Sequence, residues 1–92
     1  MSEPLPYQLR VTGPAERQLA GLSEGTAAAI VEFMLGALVE NPRRVGGPLQ
    51  RELVGFHSAR RGAYRIGYEI FDDDRVVVVH RVDHRSTVYR PR

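Results

Sequence analysis

Thirteen residues of this 92-residue chain carry a fixed positive side-chain charge, and all thirteen are arginine. Residues 1–42 hold two of them against five glutamates, a net of −3. Residues 43–92 hold eleven against six carboxylates, a net of +5, a division that the total of +2 hides. Arginine presents a planar fork of N–H donors that matches a phosphate, and it keeps its charge at any working pH. An arginine-rich half, in a chain with four tyrosines and three histidines, points to a nucleic-acid surface and to chemistry on a phosphodiester. A GC-rich genome would explain arginine in place of lysine, but not the uneven distribution.

Other chemistries are excluded or disfavoured. There is no cysteine, so no thiol nucleophile, disulfide framework or zinc ribbon. His57, His80 and His84 lack the spacing of a zinc motif, and no metal is expected. Gly46-Gly47-Pro48 lacks the Lys-Ser/Thr of a phosphate-binding loop and reads as a turn. Residues 1–6 show no basic segment followed by an apolar run, and no stretch reaches about 18 apolar residues. The expectation is one cytoplasmic domain with no membrane contact. A chain this short buries only roughly 60–65% of its unfolded surface, so its core is modest and a partner would add stability.

The elements that must position these residues follow from periodicity. Tyr7, Leu9 and Val11 alternate with polar residues and predict a short strand. Thr12-Gly13-Pro14 opens a helix with its proline in the first turn, and Ala15, Leu19 and Leu22 form its apolar stripe. Ser23 is an N-cap for a second helix, in which Ala27, Ile30, Phe33, Met34, Ala37 and Leu38 recur at helical spacing until Asn41-Pro42. Residues 43–55 read as a loop. Phe56–Arg61 predicts a strand, and Gly62 permits a tight connection. Residues 63–71 alternate, with Tyr64, Ile66, Tyr68 and Ile70 on one face and Arg65 and Glu69 on the other. Asp72-Asp73-Asp74 makes a turn, so the flanking strands are antiparallel neighbours. Val76–Val79 is apolar on both faces, as in a central strand. The class is α+β: an N-terminal strand, two packed helices, then an antiparallel three-stranded meander in one curved sheet. Its helices cover one face and its arginines occupy the other.

Three segments carry a family resemblance. They are Asn41-Pro42-Arg43 followed by Pro48-Leu49, the run Ser58-Ala59-Arg60-Arg61-Gly62-Ala63-Tyr64-Arg65-Ile66-Gly67-Tyr68, and Val82-Asp83-His84-Arg85-Ser86-Thr87-Val88-Tyr89-Arg90. Together with the element order they resemble the RelE/ParE toxin superfamily, specifically the RelE branch found in actinobacteria. The resemblance implies a bacterial toxin held inactive by a small antitoxin, RelB-like or Phd-like, encoded beside it. It further implies a toxin that enters the ribosomal A site and cuts mRNA there without metal. The ParE branch shares the fold, lacks the cleavage residues and inhibits DNA gyrase.

RNA cleavage of this kind requires removal of the 2′-OH proton, stabilisation of charge on the phosphoryl oxygens and protonation of the leaving oxygen. Arg65, on the strand face away from the tyrosines, is assigned to the phosphate; the competing reading pairs it with Glu69. Arg85 matches the basic position of the terminal motif and would donate toward the leaving oxygen. His84 is the better acid or base by intrinsic pKa, and Tyr89 would stack on a base or orient the 2′-OH. His57, Arg60 and Arg61 form a basic cluster entering the meander, where members of the family often carry lysine. Either His57 takes the role of base or the mechanism leans on electrostatics and positioning. Arg43, Arg44 and Arg51 are assigned to RNA backbone, with a solvated loop charge as the alternative for each. His80, inside the valine strand, reads as structural.

Two rivals stay open: a non-enzymatic gyrase inhibitor, and a domain whose main activity is binding its antitoxin, and operator DNA through that complex. The antitoxin is expected to be partly acidic and to fold as it binds.

Overall fold

The structure, a computed structural model, describes residues 5–49 and 55–84. Arg51, Arg85 and Tyr89 lie outside the described residues. The order is β1 (Gln8–Val11), α1 (Gly13–Ala20), α2 (Glu24–Phe33), a π-helical stretch (Met34–Leu38), β2 (Gly46–Pro48), β3 (Phe56–Arg61), β4 (Tyr64–Phe71) and β5 (Val76–His84). The five strands form one sheet in the order β1-β5-β4-β3-β2. The meander β3-β4-β5 is antiparallel, and β1 lies parallel to β5 at one edge. The α+β class and the predicted meander are both present. The sheet is wider than expected, because part of the predicted loop pairs as the edge strand β2 against β3.

The helices begin where side chains can satisfy their first N–H groups. Thr12 Oγ1 accepts from Ala15 N at 3.3 Å, and Ser23 Oγ accepts from Thr26 N at 3.4 Å. One sheet face meets the helical layer. Ala59, Ile66, Tyr68, Val77, Val79 and Val82 pack there with Ala15, Ile30, Phe33, Met34 and Leu38. Leu9 and Val11 of β1 join that core, so Gln8 and Arg10 point to the other side.

Pairing between β4 and β5 slips by one residue. Gly67 faces Arg81, but Tyr68 faces Val79, leaving His80 as an extra residue on β5. This β-bulge moves the buried positions from Val77 and Val79 to Val82, three residues on. His80 and Arg81 are therefore both turned away from the core.

Two devices protect the edges. Beyond the end of β1, the exposed edge of β5 is bound by side chains: Thr12 Oγ1 donates to His80 O at 3.3 Å, and Val82 N donates to Gln18 Oε1 at 2.6 Å. At the other edge, β2 runs very close to β3 and β4. A Cβ on Gly46 would lie 2.5 Å from Ser58 O and 2.6 Å from the Tyr68 hydroxyl. That hydroxyl donates to Pro42 O at 2.5 Å, so a fully buried tyrosine ties the chain after α2 to the sheet. Burial pushes its pKa up to about 12, which keeps it a donor.

Gly46→Ala is therefore expected to destabilise the domain by about 1–3 kcal/mol, since the added methyl meets backbone rather than a movable side chain. Gly47→Ala, with nothing within 4 Å, serves as the control. Urea unfolding of both variants measures the difference.

Candidate nucleic-acid interface and active site

The sheet face opposite the helices collects the basic residues of the meander. Register places Arg60 of β3 beside Arg65 of β4, and Arg65 beside Asp83 of β5. The next row runs Ser58, Gly67, Arg81, and the row after it Phe56, Glu69, Val78, with Arg10 of β1 beyond. Side chains directly opposite on one face stand about 4.5–5.5 Å apart at Cβ, so the Arg60–Arg65 pair concentrates positive charge. Two arginines side by side repel, and an anion between them relieves that repulsion. Asp83 does not neutralise the row alone, since it accepts from Arg81 Nε at 2.7 Å and from Gln18 Nε2 at 3.1 Å.

The other predicted residues are distributed around this face. Arg61 and His84 belong to a row with Tyr64 that faces the helical side. The Arg61 guanidinium lies 5.5 Å from the centre of the Phe33 ring, and His84 stands edge-on to Tyr64 at 5.2 Å. His57 also faces that side, stacked on Tyr68 at 5.6 Å. Its Nδ1 is shielded from solvent and has no hydrogen bond among the described residues. Burial, with Arg43 nearby, lowers its pKa, so it is held neutral. The structure thus brings Arg60 and Arg65 together and leaves His57, Arg61 and His84 on the opposite face. Arg44 is an exposed residue of the turn after α2.

Arg43 has a specific partner. Its Nη1 and Nη2 donate to Asp72 Oδ1 and Oδ2 at 2.8 and 2.6 Å, and the Tyr7 hydroxyl donates to Oδ1 at 2.7 Å. The fork-to-fork pair, followed by the Tyr7 bond, holds the Asp72 pKa down at about 2. Arg75, at φ 55 in the same turn, lays its guanidinium 4.2 Å from the Tyr7 ring centre and donates to Leu5 O. These contacts join the N-terminal segment, the turn after α2 and the β4–β5 turn.

Sequence reasoning missed two features of the open face. Glu69, weighed as a partner for Arg65, instead bonds His80, with Oε1 3.1 Å from Nε2. Arg81 was not singled out. The apolar positions Val77, Val79 and Val82 break the two-residue period, and that break is the sequence signal for the bulge that exposes His80 and Arg81. Among the described residues no three His, Asp or Glu side chains are grouped as metal ligands would be, and no helix is long and apolar enough to cross a membrane.

A five-stranded sheet with helices on one face and neighbouring arginines on the other defines a small α+β domain. Comparison with known proteins makes the class specific. Residues 9–89 match the family described as the ParE toxin of type II toxin–antitoxin systems, parDE. Toxin RelG of Mycobacterium tuberculosis is 51% identical over 86 residues, covering 94% of this chain and 99% of that protein. Toxin RelE of the same organism is 47% identical over 90 residues, covering 98% and 93%. The crystal structure of the M. tuberculosis toxin–antitoxin complex RelBE2 matches with a TM-score of 0.85 and 52% identity over 88% of this chain and all of that one. The isolated E. coli RelE toxin shares the fold at 21% identity, with a TM-score of 0.69 over 85% of this chain and 83% of that one. The chain belongs to the RelE branch of the RelE/ParE superfamily and is a RelE-like toxin of a type II toxin–antitoxin system.

The Arg43–Asp72 pair carries a pH prediction. The Asp72 pKa is depressed in the folded state, so its contribution is fully present above the unfolded pKa near ~3.9 and is lost as pH falls toward about 2. Asp72→Asn is expected to lower the urea midpoint near pH ~6, and the deficit should shrink between about pH 4 and pH 2. A deficit that is constant with pH would mean that the ion pair is not its source.

Proposed function

We propose that this toxin is an mRNA endoribonuclease that acts on translating ribosomes, cuts within the A-site codon and so arrests translation. The observation that carries the reading is the Arg60–Arg65 row on the open face, with Arg81 one row away. That placement suits a phosphodiester whose charge rises as the 2′-oxygen attacks. Arg65, and Arg85 of the terminal motif, would stabilise the phosphoryl and leaving oxygens; Tyr89 would stack on a base; no metal takes part. The ribosome would supply the alignment of the 2′-OH, a contribution that positioning alone can make large. Its high identity to toxins named RelG and RelE supports a RelE-type rather than a ParE-type toxin. Relatives crystallised as RelBE complexes support a RelB-like antitoxin as its cytoplasmic partner, with operator DNA bound through the complex.

A second reading, inhibition of DNA gyrase, is favoured by the match to the ParE toxin family. One experiment separates the two. The purified chain is added to ribosomes stalled on a defined message, and any cut is mapped by primer extension, with naked RNA in parallel. The nuclease reading expects a cut in the A-site codon, absent on naked RNA and reduced about 100- to 1,000-fold by Arg65→Ala or Arg85→Ala, as when one anion-stabilising donor is removed. An intact message from a chain that still arrests growth would sink that reading and direct the assay to gyrase.

A further inference from the structure

The proposed cleavage needs a base for the 2′-hydroxyl, and an arginine does not give up its proton in a protein. The open face holds one group suited to the task. The bulge turns His80 out of the valine strand. Its ring stands 5.0 Å from the Phe56 ring on β3, so it leans from β5 across β4. It leans beside the row that holds Gly67, which has no side chain and whose nearest neighbour to an added Cβ would be Arg81 Cβ at 3.8 Å. Register and this lean place Gly67 among Ser58, Arg65, Arg81 and the His80–Glu69 pair.

The pair is built as a base and its orienter are built. Glu69 Oε1 lies 3.1 Å from His80 Nε2. A carboxylate there takes the Nε2–H and leaves the lone pair on Nδ1, which has no hydrogen bond among the described residues. The side chains are 32% and 28% accessible, sheltered enough to keep their geometry and open enough to meet a ligand.

We propose that His80, oriented by Glu69, is the general base of this nuclease and acts on a nucleotide whose phosphate lies over Gly67 between Arg65 and Arg81. The inference rests on the endoribonuclease reading above. Nδ1 takes the 2′-OH proton as the 2′-oxygen bonds to phosphorus. The bond from phosphorus to the 5′-oxygen breaks, and that oxygen leaves with a proton drawn from water. The products are a 2′,3′-cyclic phosphate and a 5′-hydroxyl, and the imidazolium then releases its proton to solvent. Glu69 is a positioning residue.

The test is the single-turnover cleavage rate on ribosome-bound mRNA across the acid-to-neutral range, for the parent chain, His80→Gln and Glu69→Gln. The charged groups on this face are Glu69 and Arg65 of β4, Arg81 and Asp83 of β5, Arg60 of β3 and Arg10 of β1. The parent rate should rise with pH in the acid range and then level, as a reaction that needs a deprotonated base does. His80→Gln should lose about 100-fold or more and lack that rise, with unfolding midpoint and ribosome binding retained. Glu69→Gln removes the carboxylate that fixes the ring's tautomer and orientation, so its plateau rate should fall at least about tenfold with ribosome binding retained. A His80→Gln rate within threefold of the parent, with the rise intact, overturns the proposal while leaving the nuclease reading standing. Should His80→Gln fail to fold, a Glu69→Gln plateau rate within threefold of the parent overturns it instead. No cleavage by the parent chain removes the nuclease reading and this proposal together.

Discussion

One extra residue in β5 organises this molecule. With regular pairing, Arg81 would be driven into the core beneath Ile66, and Val82 would face water. Burying an unpaired guanidinium is costly beside a hydrophobic effect of about 2 kcal/mol for a valine. Slipping by one position at Gly67 and Tyr68 satisfies both residues. Val82 is buried, Arg81 reaches the open face, and His80 is turned out beside it. The unpaired backbone that a bulge creates is met by Thr12, whose hydroxyl donates to His80 O. The start of α1 is thereby joined to the same point, because Thr12 also caps that helix.

The open face owes its positive field to where the carboxylates are engaged. Asp72 is held at the far turn by Arg43 and Tyr7. Asp83 is shared between Arg81 and Gln18, and Glu69 is engaged by His80. Rigidity comes from the opposite side of the sheet. The buried Tyr68 hydroxyl holds Pro42, and β2 approaches β3 so closely at Gly46 that no side chain fits there.

The fold was largely legible before any coordinates. Period-3.6 and period-2 patterns located both helices and the meander, and the short polar caps at Thr12 and Ser23 marked the helix starts. The edge strand β2 escaped notice because Gly46-Gly47-Pro48 has no strand propensity; it pairs because β3 offers a free edge and only glycine fits beneath Ser58 O. The pairing of Arg65 on the outer face could be read from alternation. Its neighbours could not, since Glu69 is two residues away in sequence yet bonds across the bulge to His80. His57 sits among basic residues in sequence, but one step along a strand reverses the face, and it packs on Tyr68 instead.

What the sequence alone determined is what depends on local spacing: the α+β order of elements, the separation of acidic and basic halves, and the motif spacing that marks the RelE branch. Those properties are carried by consecutive residues and survive any choice of strand partner. The tertiary structure alone decided which basic side chains share a face and which acids they meet. That outcome depends on inter-strand register, where a single-residue slip reassigns every side chain beyond it, and register is set by the packing of Tyr68, Val79 and Val82 against the helices rather than by their neighbours in the chain.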